Sequence, residues 1–264
     1  FRGETLNELR KLNIKLVVVS FEKSTKAKAL NKAMTDLPSD YYELAVILDA
    51  DNVMANDFLT RINERMNYGY TAVQGHRTAK NQNTPMAVLD AISEEINNHI
   101  FRKGHRTLGL SSAIIGSGMA FEYNYFKRLM KEATAVGGFD KEIELKMLKE
   151  GHLIEYEENA WVLDEKVQKS EVFARQRRRW LSAQLLYFRK DFFTALTHLL
   201  KYGNIDYFDK VIQFIQPPRI LLLASLVLFT PIALVYNYLI QNPLPYSLAW
   251  LICLSTGILA FLFS

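Results

Sequence analysis

The stretch Ile220–Leu239, ILLLASLVLFTPIALVYNYL, contains no charged residue. An α-helix rises about 1.5 Å per residue, so roughly 20 apolar residues cross a hydrocarbon core about 30 Å thick. A chain with such a segment is expected to place it in a membrane. A second apolar run, Tyr246–Ser264, follows Pro243 and Pro245 and is still apolar at the last residue, so it reads as a second, truncated span. Charged residues recur regularly up to Arg219, and 49% hydrophobic content over 264 residues leaves enough apolar material for one sizeable core ahead of the spans. The sequence therefore predicts a soluble domain over 1–165, an amphipathic segment over 166–218, and two transmembrane helices over 219–264.

Charge gives the orientation. Arg175, Arg177, Arg178, Arg179, Arg189, Lys190, Lys201, Lys210 and Arg219 precede the first span, whereas the loop Gln241–Pro245 carries no Lys or Arg. Positive residues stay on the cytoplasmic side, which predicts a multi-pass cell-membrane protein with its soluble domain in the cytoplasm. The same residues explain much of the net charge of +4 without a nucleic-acid partner, and no nucleic-acid-binding signature is present. The single cysteine, Cys253, lies inside the second apolar run, so no intrachain disulfide forms, as befits a reducing compartment. His76, His99, His105, His152 and His198 lack the spacing of a zinc site.

The first two thirds alternate short β-branched runs with amphipathic stretches, the pattern of an α/β domain with a mostly parallel sheet. Strands are expected at Ile14–Ser20, Leu44–Leu48 and Tyr70–Gln74, with another inside Ile114–Phe121. Helices are expected at Thr25–Thr35, Asn56–Asn67 and Pro85–Phe101. A further helix, Asp140–Glu150, follows the Gly137-Gly138 turn with Asp140 as its N-cap. Beyond Glu165 the pattern is helical, basic on one side and aromatic on the other, the character of helices in a membrane interface. Tyr207–Gln216 has the same character, up to the break at Pro217-Pro218.

Four short motifs carry candidate chemistry. Asp49-Ala50-Asp51 directly follows the apolar LAVIL; ligands of open α/β sheets bind beyond the carboxyl ends of strands, where two carboxylates hold a divalent cation together with phosphate oxygens. A strand ending in a solvated polar turn would look the same. Gly116-Ser117-Gly118 either lets backbone approach a ligand closely or forms a plain tight turn. In Gly137-Gly138-Phe139-Asp140-Lys141-Glu142-Ile143-Glu144-Leu145, residues Ile143, Met147 and Leu148 make a buried face. Glu142 and Glu144 are left near the helix start, where a carboxylate serves as a general base or simply complements the helix dipole. Finally, FARQRRRWL, from Phe173 to Leu181, offers arginine forks for phosphate and the flat indole of Trp180 for a sugar ring or a membrane interface.

These four motifs, in this order and ahead of interfacial and spanning helices, resemble the family 2 inverting glycosyltransferases, in particular membrane-bound polysaccharide synthases similar to cellulose, hyaluronan and poly-N-acetylglucosamine synthases. The resemblance covers the chain from Ile14 onward. It implies a GT-A-like nucleotide-sugar-binding domain and transfer from a nucleotide-sugar, a UDP-sugar by likeness, to a growing polysaccharide. Asp49 would contact the nucleotide, and Asp51 would ligate Mg²⁺ or Mn²⁺ with Asp49 beside it. Lys26, Lys28 and Asn31 in TKAKALNKAM match the family's segment beside the nucleotide. The family's E-D pair falls on Lys141-Glu142, so Glu142 takes the base position, with Glu144 as competitor. Gln176, Arg179 and Trp180 fill the Q-x-x-R-W positions, with Arg179 on the leaving diphosphate. Gln176, Trp180, Gly116, Ser117 and Gly118 fall to the acceptor side, while Arg175, Arg177 and Arg178 partly face lipid head groups or the domain surface. The family's first strand and uracil-gripping turn have no counterpart before Ile14, so the chain reads as an N-terminally truncated fragment. Two other readings stay open: a single-sugar transferase acting on a lipid-linked acceptor, and a catalytically inactive, membrane-anchored sugar-binding protein.

Overall fold

The structure is a computed structural model that describes residues 3–22, 24–133, 138–240 and 245–262. Two compact units divide it, 1–211 and 212–264. The first opens with helices α1 (Gly3–Arg10) and α2 (Lys26–Asp36), then strands β1 (Leu44–Ile47) and β2 (Val53–Met54), helix α3 (Phe58–Asn67), and strand β3 (Ala72–Ala79). Helix α4 (Pro85–Asn97) runs into a π-helix over Asn98–Gly104 and one turn of helix, α5 (His105–Thr107). Strand β4 (Met119–Glu122), helices α6 (Tyr123–Glu132) and α7 (Phe139–Lys149), strand β5 (Ile154–Asp164), the long helix α8 (Ser170–Tyr202) and α9 (Ile205–Gln213) follow.

The five strands form one sheet in the order β1-β4-β3-β5-β2. Among the described residues only β3 and β5 pair in parallel; β1 with β4, β3 with β4, and β2 with β5 are antiparallel. The expected mostly parallel sheet is therefore a mixed one. Alternation of strands and helices reports that crossovers exist, and β4 and β5 enter the sheet beside strands that are distant in sequence. The core lies where α3 covers the sheet: Phe58, Ile62, Val73, Ala120, Ala160 and Val162 are buried together. Gly75 of β3 is indispensable to that packing, since a Cβ there would lie 2.7 Å from the Phe58 ring and 2.8 Å from the Ala160 carbonyl.

Several sequence expectations change. Ile14–Ser20 forms no strand: none of the described strands pairs with it, and Ile14 and Val18 are exposed. A β-branched run becomes a strand only when a neighbour takes its backbone hydrogen bonds. Helix α7 starts earlier than expected, because Gly138, in the left-handed region at φ 68°, stands at its N-cap and its carbonyl accepts from Glu142 N. Asp140 consequently lies within the first turn; Gly137 lies outside the described residues. Helix α6 and strand β5 were not anticipated. Helix α9 does not simply lie in an interface, since its Tyr207 and Val211 are fully buried in protein.

The second unit contains α10 (Arg219–Ile240) and α11 (Pro245–Leu262). They pack on each other, with the Phe229 and Trp250 ring centroids 6.0 Å apart. Leu221, Leu228, Ile232, Val235 and Leu239 all face outward, the reverse of a soluble helix. Leu221–Leu239 is long and apolar enough to cross a membrane. The apolar part of α11, Leu248–Ala260, is shorter than a span, so among the described residues one spanning helix stands where two were expected.

Candidate active site

Strand β1 delivers Asp49, Ala50 and Asp51 to the end of the sheet, where Asn52 N donates to Asp49 O at 3.1 Å and turns the chain toward β2. The turn is buttressed from beneath by Gly116-Ser117-Gly118. Ser117 is fully buried; its Oγ accepts from Asp49 N at 2.8 Å and donates to Asn52 Oδ1. Gly116 and Gly118 have φ of 81° and 62°, a region that side chains disfavour. Gln74 Nε2 fixes the same segment through the Ser117 and Gly118 carbonyls, each at 3.0 Å. The Gly-Ser-Gly segment thus shapes the D-x-D loop, and its serine has no surface to offer an acceptor.

Helix α2, capped by the Thr25 side chain, brings one of its three expected residues to this loop. Lys26 Nζ donates to Asp49 Oδ1 and, at 2.7 Å, to the Gly116 carbonyl, and lies 5.5 Å from the Phe139 ring centroid. Lys28 is exposed near the Phe21 ring, and the Asn31 amide donates to the Met130 carbonyl, tying α2 to α6.

Asp49, Ala50 and Asp51 line a cleft of about 590 Å³, together with Asp164, Glu165, Gln176 and Trp180. The D-x-D loop and the Q-x-x-R-W helix therefore share one cavity. Gln176 lines the cleft, and its Oε1 is buried with no hydrogen-bond partner among the described residues. Arg179 is exposed and lies outside the cleft lining. Its neighbour Arg177 donates to Asp90 Oδ1 at 2.9 Å and stacks 4.8 Å over Trp180 and 4.7 Å over Phe173, so it is held against the domain and orients the indole.

The cleft wall is a buried ion network. Glu94 of α4 receives Arg77 at 2.8 Å, Lys166 at 3.3 Å and Arg102 at 3.4 Å. Burial opposes ionisation of Glu94, but the three cations outweigh it and hold its carboxyl well below the usual range. Lys166 also reaches Asp164 at 2.9 Å.

The carboxylates of α7 separate into distinct environments. Glu144 is buried, accepting from Ile114 N at 3.2 Å and pairing with Lys210 at 3.0 Å. Glu142 is buried and lies 3.5 Å from Lys146. Asp140, which sequence reasoning treated only as a cap, sits against Gly116: a Cβ at that glycine would be 3.8 Å from its carboxyl carbon. Tyr187 of α8 packs near Gly138, and burial, with Glu142 and Asp140 nearby, pushes its hydroxyl up to about 12.

A family model, Glycosyltransferase like family 2, matches residues 4–183. The chain belongs to this family. The match ends beyond Trp180 and so covers all four motifs. No curated protein matches the chain. Membership in glycosyltransferase family 2 carries the GT-A α/β fold, transferase activity, and binding of a nucleotide-sugar donor and an acceptor.

In this glycosyltransferase the D-x-D donor set suits a divalent cation that shares its coordination with phosphate. Among the described residues no group of three or more His, Cys, Asp or Glu forms a protein cage. Two hard carboxylates lining a cleft are the set Mg²⁺ takes when substrate phosphates and waters complete its shell. The family resemblance already pointed to GGFD as a motif, and the signal for Asp140 was its place directly after that turn, at a helix start.

Proposed function

We propose that the protein transfers a sugar from a UDP-sugar to a growing polysaccharide, with inversion, at the cytoplasmic face of a membrane. The observation that carries this reading is the single cleft lined by Asp49 and Asp51 on one side and Gln176 and Trp180 on the other. The first pair suits a nucleotide diphosphate and the second a sugar ring.

Asp49 and Asp51 would hold Mg²⁺ or Mn²⁺, which when bound supplies positive charge to the diphosphate. Lys26, already on Asp49, meets the charge that builds on the leaving nucleoside diphosphate, a role the resemblance gave to Arg179. Trp180 presents a face to the acceptor sugar, and Gln176, beside it in the cleft lining, binds a hydroxyl of that sugar. We assign the base to Asp140 in preference to Glu142, because Asp140 adjoins the Gly116 backbone that also carries Lys26. The acceptor hydroxyl passes its proton to Asp140 as its oxygen bonds to the anomeric carbon. The bond from that carbon to the diphosphate oxygen breaks on the opposite face, which inverts the configuration. The outward apolar face of α10 supports anchorage in membrane lipid.

Release of nucleoside diphosphate from a panel of UDP- and GDP-sugars, by protein in detergent with Mg²⁺ or Mn²⁺, tests this reading. Metal-dependent release from one donor, lost in Asp51→Ala and Asp140→Asn and kept in Glu144→Gln, supports it. Loss in Glu142→Gln with retention in Asp140→Asn would return the base to Glu142, and no release from any donor overturns the transferase role. Product length separates polymer synthesis from single transfer to a lipid-linked acceptor.

A further inference from the structure

We infer that Asp164 is a positioning residue for the donor loop, acting through Asn52. Asp164 ends β5 and lies more than a hundred positions from the D-x-D turn, yet its Oδ1 accepts from Asn52 Nδ2 at 2.8 Å. The same amide nitrogen donates to Asp51 Oδ1 at 3.2 Å, and Asn52 Oδ1 accepts from Ser117 Oγ and from Asp49 N at 3.4 Å. One side chain therefore touches both carboxylate residues of the loop and its buttress.

What fixes Asn52 is fixed in turn. Asp164 Oδ2 is held by Lys166 at 2.9 Å and faces Arg77 Nε at 3.8 Å, both of which Glu94 anchors from α4. The side chains of Lys166, Arg77, Glu94 and Asp164 are 2%, 11%, 10% and 14% exposed, so the relay is shielded from water. By contrast Asp51 is exposed and, among the described residues, has no buried partner of its own. Its placement depends on Asn52, and the orientation of Asn52 depends on Asp164, whose carboxylate selects which end of the amide points to β5. Groups that orient a ligating carboxylate from behind typically change affinity about 10- to 100-fold when removed.

The inference rests on the reading that Asp49 and Asp51 engage the donor diphosphate, and the test keeps the two apart. UDP is titrated calorimetrically into the full chain in detergent with saturating Mn²⁺, using Asp51→Ala, Asn52→Ala, Asp164→Asn and the Asn52/Asp164 double variant, with the melting temperature of each recorded. The expected result is a rise in Kd of about tenfold or more in each of the last three, the double variant being no weaker than the weaker single. Asn52→Ala cuts the relay from its solvent side should Asp164→Asn fold poorly. A wild-type Kd in Asn52→Ala and Asp164→Asn, with binding lost in Asp51→Ala, overturns the inference even if both variants melt lower. Additive losses in the double variant overturn it too. Wild-type binding by Asp51→Ala overturns the donor-loop reading and the inference with it.

Discussion

Lys210 of α9 and Glu144 of α7 form an ion pair at 3.0 Å in which each side chain is 3% exposed. A carboxylate so enclosed by a cation and a backbone amide is part of the scaffold. Replacing Lys210 by Met leaves a buried charge without its cation, which costs about 3–5 kcal/mol when such a pair is broken. The expected outcome is a markedly lower melting temperature with UDP affinity retained by the folded fraction, as read by thermal unfolding and calorimetry.

The Lys26–Asp49 pair should behave oppositely. Its side chains are 34% and 39% exposed, and pairs of that kind contribute ~1 kcal/mol or less to stability. Lys26→Met is expected to melt within a few degrees of wild type while donor turnover, as kcat/KM, falls roughly 10²-fold. A turnover close to wild type would remove Lys26 from the leaving-group role.

Gly118 combines a φ of 62° with a neighbour, Val162 Cγ2, only 3.3 Å from where a Cβ would stand. Gly118→Ala should destabilise the protein by about 1–2 kcal/mol from the backbone conformation alone. Because this residue supports Ser117, UDP affinity should fall along with the denaturation midpoint.

Acid should act through the ion network. Glu94 is held well below its ordinary range by Arg77, Arg102 and Lys166 against the cost of burial. Glu95 is lowered to about 2 as hydrogen bonds from His76, Thr78 and Asn98 overcome burial. Groups depressed in the folded state contribute stability that is present above the unfolded carboxyl value, about 4.3, and lost as pH falls toward the folded one. Melting temperature should therefore hold down to about pH 4.5 and decline steeply toward pH 2, and Glu94→Gln should flatten that decline.

Arg177 and Arg179 differ by two positions and by just over half a turn of helix. With Trp161 and Trp250 replaced by Phe, the emission of Trp180 should shift in Arg177→Ala, which loses the stacked cation at 4.8 Å. It should stay unchanged in Arg179→Ala. Equal responses would contradict the orienting role of Arg177.

Local signals made α2, β1, α3, α4 and the apolar helix α10 legible, because each carries its own periodicity or cap. The D-x-D and Q-x-x-R-W motifs could be named in advance and the family resemblance implied a shared site, but the wall that joins them could not be read, since it depends on Asp164 and Lys166 at the end of β5. The mixed sheet was hidden for the same reason: β5 pairs with strands far away in sequence, and its stretch IEYEENAWVLD is interrupted by polar residues at an irregularity opposite Gly75 and His76. Ile14–Ser20 misled because a strand-forming composition says nothing of a partner. Asp140 and Glu142 stand two residues apart, and their spacing alone does not tell that Asp140 adjoins Gly116.

The pairing of β5 with both β2 and β3 also sets an order of events during synthesis. The chain emerges from the ribosome N-terminus first, so β2 and β3 are exposed before the strand that joins them exists. Contacts that close such long loops form late, and the donor turn cannot acquire Asp164 until β5 is complete. Nascent chains arrested with β5 still inside the ribosome and with β5 fully emerged should thus differ sharply in protease resistance.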